Sequence, residues 1–183
     1  NILWNLTMDI SIIKNAVDDK FIQSIIDVGE SQGLQEATIG GNVSTTNKIR
    51  STKISWIFDK EILLPLKDKI LETNKSKDWN FTVTGMFPFQ YSVYNKNDHY
   101  DWHIDRRPVH QGEDEKKLSF SLILNENYEG GELEFKDSNE NMSLNLNKGD
   151  MVIFPSTLSH RVKPVTNKIR KSLVGWMLGP RLK

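Results

Sequence analysis

Apolar and polar positions change their period about 80 residues into the chain. Before that point the repeats are helical. Phe21, Ile22, Ile25 and Ile26 recur at helical spacing behind Asp18 and Asp19, either of which can serve as N-cap, until Gly29 and Gly33 close the segment. Residues 59–74, DKEILLPLKDKILETN, also read as a helix, with Pro65 expected to break or kink its first half. Between the two helices lie a polar loop around Gly40-Gly41 and KISWIF (53–58), which alternates as a strand does.

From residue 80 the period falls to two. FTVTGMF, FQYSVYN, LSFSLILN, GELEF, MSLNLN, DMVIFP, HRVKPV and KSLVGWML are short strand-like runs, parted by turn residues such as Gly130-Gly131, Asn147 and Lys148-Gly149. Gly130-Gly131 reads as a tight turn before a strand at 132–135, with no direct chemical role. The pattern predicts a mainly β protein, a sandwich or barrel with the N-terminal helices packed outside. A chain of 183 residues suffices for a single domain, divided here into a helical support region (1–79) and a β core (80–180). Segment 106–117, RRPVHQGEDEKK, has almost no apolar anchor and reads as a mobile surface loop.

Charge and composition narrow the partners. Lys+Arg and Asp+Glu stand at 24 each, so nothing draws the chain as a whole towards nucleic acid or an anionic membrane. No apolar run approaches the roughly 20 residues that span a bilayer. The start, NILWNLTMDISII, lacks the basic-then-apolar pattern of a signal peptide, which reads as a cytoplasmic protein, or host-cytoplasmic for a viral source. There is no cysteine, so a metal site must be built from His and carboxylate.

The four histidines are His99, His103, His110 and His160. HYDWHID (99–105) holds His-x-Asp twice, as His99/Asp101 and His103/Asp105. In one unbroken strand all four polar side chains share a face, so spacing alone leaves either pair as ligands. Asn95, Asn97 and Asp98 make an unbroken strand doubtful at its start and place His99 and Asp101 in a turn. His110 falls in the charged loop and reads as solvated. Two His and one carboxylate on one face of an octahedral ion form the ligand set of non-haem Fe(II) oxygenases, with the remaining positions open.

Several ordered blocks resemble one family. YNKNDHYDWHID (94–105), LSFSLILNENYEGGELEF (118–135) and KGDMVIFPSTLSHRVKPVTNKIRKSLVGW (148–176) are similar to the Fe(II)/2-oxoglutarate-dependent dioxygenases, in particular the prolyl 4-hydroxylase-like and PKHD-type hydroxylases. The resemblance runs from about Phe89 to Trp176. It implies a double-stranded β-helix, or jelly-roll, core. It further implies that His103, Asp105 and His160 bind Fe(II), and that Arg170 pairs with the far carboxylate of 2-oxoglutarate. The planar guanidinium suits that bidentate task as Lys171 would not. Tyr94 matches a tyrosine that hydrogen-bonds the same carboxylate, and Ser172, two residues after Arg170, is placed to donate a second bond. Trp176 matches a substrate-pocket position. For Tyr94 and Trp176 the competing reading is an ordinary core aromatic. The family's frequent tyrosine before Leu-Asn is Ile123 here, which leaves Tyr94, Arg170 and Ser172 to recognise the co-substrate.

The activity so implied is a 2-oxoglutarate- and O₂-dependent hydroxylase of prolyl 4-hydroxylase type, acting on a peptidyl proline and releasing succinate and CO₂. Ascorbate is a candidate further cofactor. The partner expected is a peptide or protein containing proline, with no membrane and no nucleic acid, and segments 35–52 and 106–117 are candidates for covering it. The alternatives are an oxygenase of the same class acting on another amino acid or on nucleic acid, and a non-catalytic jelly-roll binding module.

Overall fold

The structure is a computed structural model that describes residues 9–38, 49–107, 110, 112–136 and 140–181. The Gly40-Gly41 loop, and most of the segment proposed to cover a substrate, lie outside the described residues. In chain order the elements are β1 (Ser11–Ile13), α1 (Asp19–Ser31), β2 (Gln35–Glu36), β3 (Arg50–Ser51), β4 (Lys53–Ile57) and α2 (Lys60–Ser76). There follow β5 (Gly85–Met86), β6 (Phe89–Tyr94), β7 (His99–His103), β8 (Glu115–Ile123), β9 (Glu129–Gly130) and β10 (Leu133–Lys136). The last five are β11 (Asn141–Leu144), β12 (Met151–Pro155), β13 (His160–Val162), β14 (Val165–Asn167) and β15 (Arg170–Gly179).

Among the described residues the strands form an antiparallel sheet of eight, ordered β1-β12-β8-β15-β6-β4-β2 with β5 also on β15. A second sheet of five runs β11-β10-β13-β7-β3, and β14 pairs with β9 alone. This is the expected mainly β, jelly-roll architecture with helices outside. Strands β1 to β4, from the first eighty residues, extend both larger sheets.

Period-two alternation gives the larger sheet two working faces. Phe89, Tyr91 and Val93 of β6, Leu118, Phe120 and Leu122 of β8, and Leu173 and Met177 of β15 pack into one core. Ile22 and Ile25 of α1, with Ile62, Leu63, Leu66 and Ile70 of α2, close that core from outside. The intervening residues face the smaller sheet, where Tyr94, Leu133, Phe135, Val152, Phe154 and Val162 form a second core. The chemistry sits on this inner side.

Three local expectations need correction. Gly29 does not close α1 but lies inside it, with Asp18 as N-cap accepting from the Phe21 N–H at 2.8 Å. A Cβ at Gly29 would stand 2.4 Å from Cγ of Tyr91, so the glycine is there to let helix and sheet touch. Pro65 does not end α2, which runs through it. The proline lies on the exposed face, and its cost of about 3 kcal/mol is outweighed by burial of Ile62, Leu63, Leu66 and Ile70 at about 1.5–3 kcal/mol each. Segment 106–117 is not a surface loop throughout. Glu115 already belongs to β8 and is buried with Lys117, the two joined at 2.7 Å, while Arg106 reaches Glu115 at 3.0 Å. Charges that read as solvated are paired inside.

Candidate metal centre

β7 and β13 are neighbours, and their register sets His103 opposite His160. Along β7 the register then slips, for Tyr100 opposes Val162, so three steps on β7 match two on β13. This bulge turns His103 onto the face of Tyr100, whose ring stacks on the imidazole with centroids 3.6 Å apart and planes 10° apart. His99 and Asp101 belong to this strand and not to a turn, yet the bulge breaks the alternation that would have aligned them with His103. His99 rests its Nδ1 3.3 Å from the Asn97 carbonyl, and Asp101 accepts from the Trp102 N–H. Neither approaches the centre. His110 is exposed, and its main-chain N–H donates to Glu113.

Asp105 lies just beyond β7, fixed by the main chain. Its own N–H and that of Arg106 both donate to the Ser156 carbonyl, at 3.1 and 2.9 Å. The Ser119 hydroxyl donates to Oδ2 at 2.7 Å. The carboxylate then stands 3.8 Å from Nε2 of His103 and 3.6 Å from Nε2 of His160. One ligand atom from each of the three lies within 4.8 Å of the others, and no other such group exists among the described residues.

Each imidazole turns its second nitrogen to a carbonyl: Nδ1 of His103 donates to Asp101 at 2.8 Å, and Nδ1 of His160 to Leu158 at 2.9 Å. The tautomer this selects leaves both Nε2 lone pairs pointing inward. Burial pushes the His103 imidazole down to about 4, and charge on His160 adds to the effect, so it is a neutral ligand at physiological pH. Burial alone would raise the Asp105 carboxyl. The two imidazoles, Lys116 and the Trp176 indole together hold it below the usual carboxylate range. Two neutral imidazoles and one carboxylate, all oriented in advance by hydrogen bonds, fit ferrous iron on one face of an open site.

The centre opens on a cavity of about 690 Å³. On its inner wall Arg170 begins β15 opposite Tyr94, and Ser172 pairs with Ser92. Arg170 is 1% exposed. Its Nη1 donates to Ser172 Oγ at 2.9 Å, and its Cζ sits 5.3 Å from the centre of the Tyr94 ring. Nε and Nη2 are buried with no acceptor among the described residues. A guanidinium in that state is set for an anion the protein itself does not supply.

The model of the 2OG-Fe(II) oxygenase superfamily matches residues 89–178, the stretch that carries the triad and Arg170. The chain belongs to that superfamily. A PKHD-type hydroxylase of Synechococcus is 34% identical over 119 residues, covering 61% of this chain and 54% of its own length. One of Prochlorococcus marinus is 28% identical over 169 residues, 92% of this chain and 72% of the relative. The chain thus spans about half the length of the first of these relatives. Among solved structures, the viral collagen prolyl hydroxylase of Paramecium bursaria Chlorella virus-1, in its 2OG complex, superposes with a TM-score of 0.75 at 17% identity, covering 95% of this chain and 98% of that one. A prolyl hydroxylase of Trichoplax adhaerens, in complex with a hypoxia inducible factor peptide fragment, gives 0.73 at 23% identity, over 93% and 84%.

Within this 2OG-Fe(II) oxygenase, several residues about the site had no role in the sequence reading. Ser119 and Ser156 hold Asp105, their hydroxyls 2.8 Å apart. Tyr100 backs His103. Gly131 (φ +67) is more than a turn residue, because a Cβ there would stand 2.7 Å from Cδ of Arg170. Only Ser119 left a trace in the sequence, as a small polar residue on the inward side of an alternating strand. Ile123 is buried and pairs with Ser172. Trp176 lines the cavity, 6.3 Å from the Trp56 ring, and Trp102 lies under the Arg161 guanidinium instead.

Proposed function

We propose that the chain is a 2-oxoglutarate-dependent hydroxylase acting on a peptidyl proline, with His103, Asp105 and His160 as the Fe(II) ligands. The observation that carries this reading is Arg170, a buried cation with two unmet donors on the wall of the cavity that holds the triad. Iron bound by the three ligands would supply the oxidising chemistry, coupling decarboxylation of 2-oxoglutarate to hydroxylation of the substrate. The chain's own residues supply position. Arg170 holds the far carboxylate of 2-oxoglutarate through Nε and Nη2, Ser172 keeps the guanidinium in plane, and Tyr94 offers its hydroxyl to the same group. Gly131 leaves the guanidinium room to lie there. Trp176 and the exposed Trp56 and Phe87 form an apolar rim against which a prolyl ring can rest. Nothing in this scheme needs a general acid-base pair.

Incubation with Fe(II), 2-oxoglutarate and proline-containing peptides, with and without ascorbate, should add 16 daltons to the peptide by mass spectrometry. Turnover of a free amino acid with no peptide modified would refute the peptidyl reading.

A further inference from the structure

Three cations line the cavity, and none has a carboxylate within ion-pair distance among the described residues. Arg50 is 8% exposed, its Nε is buried without an acceptor, and its Cζ lies 4.6 Å above the Tyr100 ring. Lys116 lays its Nζ 3.6 Å from the centre of the Trp176 ring and 5.7 Å from that of Phe87, with no carboxylate within ion-pair reach. Arg107 is exposed at the same mouth. The nearby acids are already engaged. Asp105 is turned to the imidazoles, Asp114 accepts from Thr84, and Glu36 faces Lys53 at 4.0 Å. Burial pushes the Lys116 ammonium down to about 8; the Asp105 carboxylate opposes that shift, and the charges of Arg107 and Arg50 add to it.

Uncompensated positive charge in a concave, partly buried place is a site for an anion. Arg170 has the same character but lies deeper, on the wall assigned to 2-oxoglutarate. Arg50 lies over Tyr100 and Lys116 over Trp176, and all four line the cavity that holds the metal centre. We infer that Arg50 and Lys116, with Arg107 at the rim, bind a carboxylate of the substrate peptide close to the residue that is hydroxylated. The inference rests on the hydroxylase reading and adds a substrate class to it: an acidic peptide. A nucleic-acid phosphate chain suits the mouth less, because Glu36 and Asp114 line it too and would repel a run of negative charge.

The test uses the whole protein with Fe(II) and 2-oxoglutarate, and three otherwise identical proline peptides. One is terminally blocked with Glu beside the proline, one is blocked with Gln there, and one carries Gln and a free C-terminal carboxylate. Turnover is read by mass gain, and binding by fluorescence anisotropy of labelled peptides to the metal-free protein. At low salt the Glu peptide, or the free-terminus peptide if that is the source of the carboxylate, should bind about tenfold tighter than blocked Gln, the size of one charge-assisted hydrogen bond. Lys116→Gln and Arg50→Gln should each bring that ratio close to one, and Lys116→Glu should favour a Lys peptide. If Lys116→Glu does not fold, the two Gln variants decide.

Equal hydroxylation of all three peptides overturns the carboxylate site and leaves the hydroxylase reading standing. A Glu preference that survives both Gln variants also overturns it. Displacement of the Glu peptide by a DNA oligonucleotide, at concentrations where blocked Gln peptide does not compete, replaces it with a phosphate site. Turnover of a free amino acid with no peptide modified strikes the parent reading instead.

Discussion

Replacing Arg170 by Met removes a guanidinium whose environment favours it only when an anion is present. Two of its donors are buried and unmet, at about 1–3 kcal/mol each. Against that cost of roughly 2–6 kcal/mol stand the bond to Ser172, about 1 kcal/mol, and the contact with Tyr94, also about 1 kcal/mol. Met fills much of the same volume without polar atoms, so Arg170→Met should stabilise the ligand-free protein by on the order of 2 kcal/mol. For a chain of this length that raises Tm by about 4–8 °C. The wild type should gain about 2.7 kcal/mol from 2-oxoglutarate at one hundred times its Kd, and the variant nothing. Thermal unfolding followed by circular dichroism, with Zn(II) in place of iron and with or without 2-oxoglutarate, measures both effects. A variant less stable than wild type without ligand, yet still stabilised by 2-oxoglutarate, would show that Arg170 is a structural cation.

Three further outcomes are expected. Asp105→Ala should abolish 2-oxoglutarate turnover, whereas Asp101→Ala should keep most of it, because Asp101 serves His103 through its main-chain carbonyl; the reverse result would move the metal site to the other His-x-Asp pair. Gly131→Ala combines a positive φ, about 1 kcal/mol of strain, with a Cβ 2.7 Å from the Arg170 side chain. It should weaken 2-oxoglutarate binding about tenfold, and unchanged affinity by titration would count against that contact. Lys116 titrates near 8, against 10.5 for a free lysine, so the folded state disfavours its charge. Below pH 8 this is a full cost, and it is relieved as pH rises from 8 to 10.5. The stability of wild type relative to Lys116→Met, from urea unfolding, should therefore climb by on the order of 3 kcal/mol across that window. A flat difference would mean the ammonium is well solvated.

The mainly β architecture was legible because alternating strands imposed their period on the sequence, and the inner and outer faces of β6, β8 and β15 follow from it. What could not be read were the contacts made across space. Gly29 looked like a helix stop because nothing near it in sequence announces Tyr91, 62 residues later. Pro65 looked like a break because the burial that overrules it comes from strands not yet in view. Glu115 and Lys117 looked solvated because each is the other's partner inside.

The metal centre shows the same limit at closer range. Strict alternation through HYDWHID puts His99, Asp101, His103 and Asp105 on one face and leaves two equivalent pairs. The bulge opposite His160 and Val162 removes the equivalence, since it faces His103 with Tyr100 and lets Ser156 capture the main chain at Asp105. A bulge is a property of two paired strands, and the second strand lies about sixty residues downstream. The choice of ligands is therefore made by β13 as much as by β7: His160 completes the triad, and the strand that carries it turns His103 to meet it.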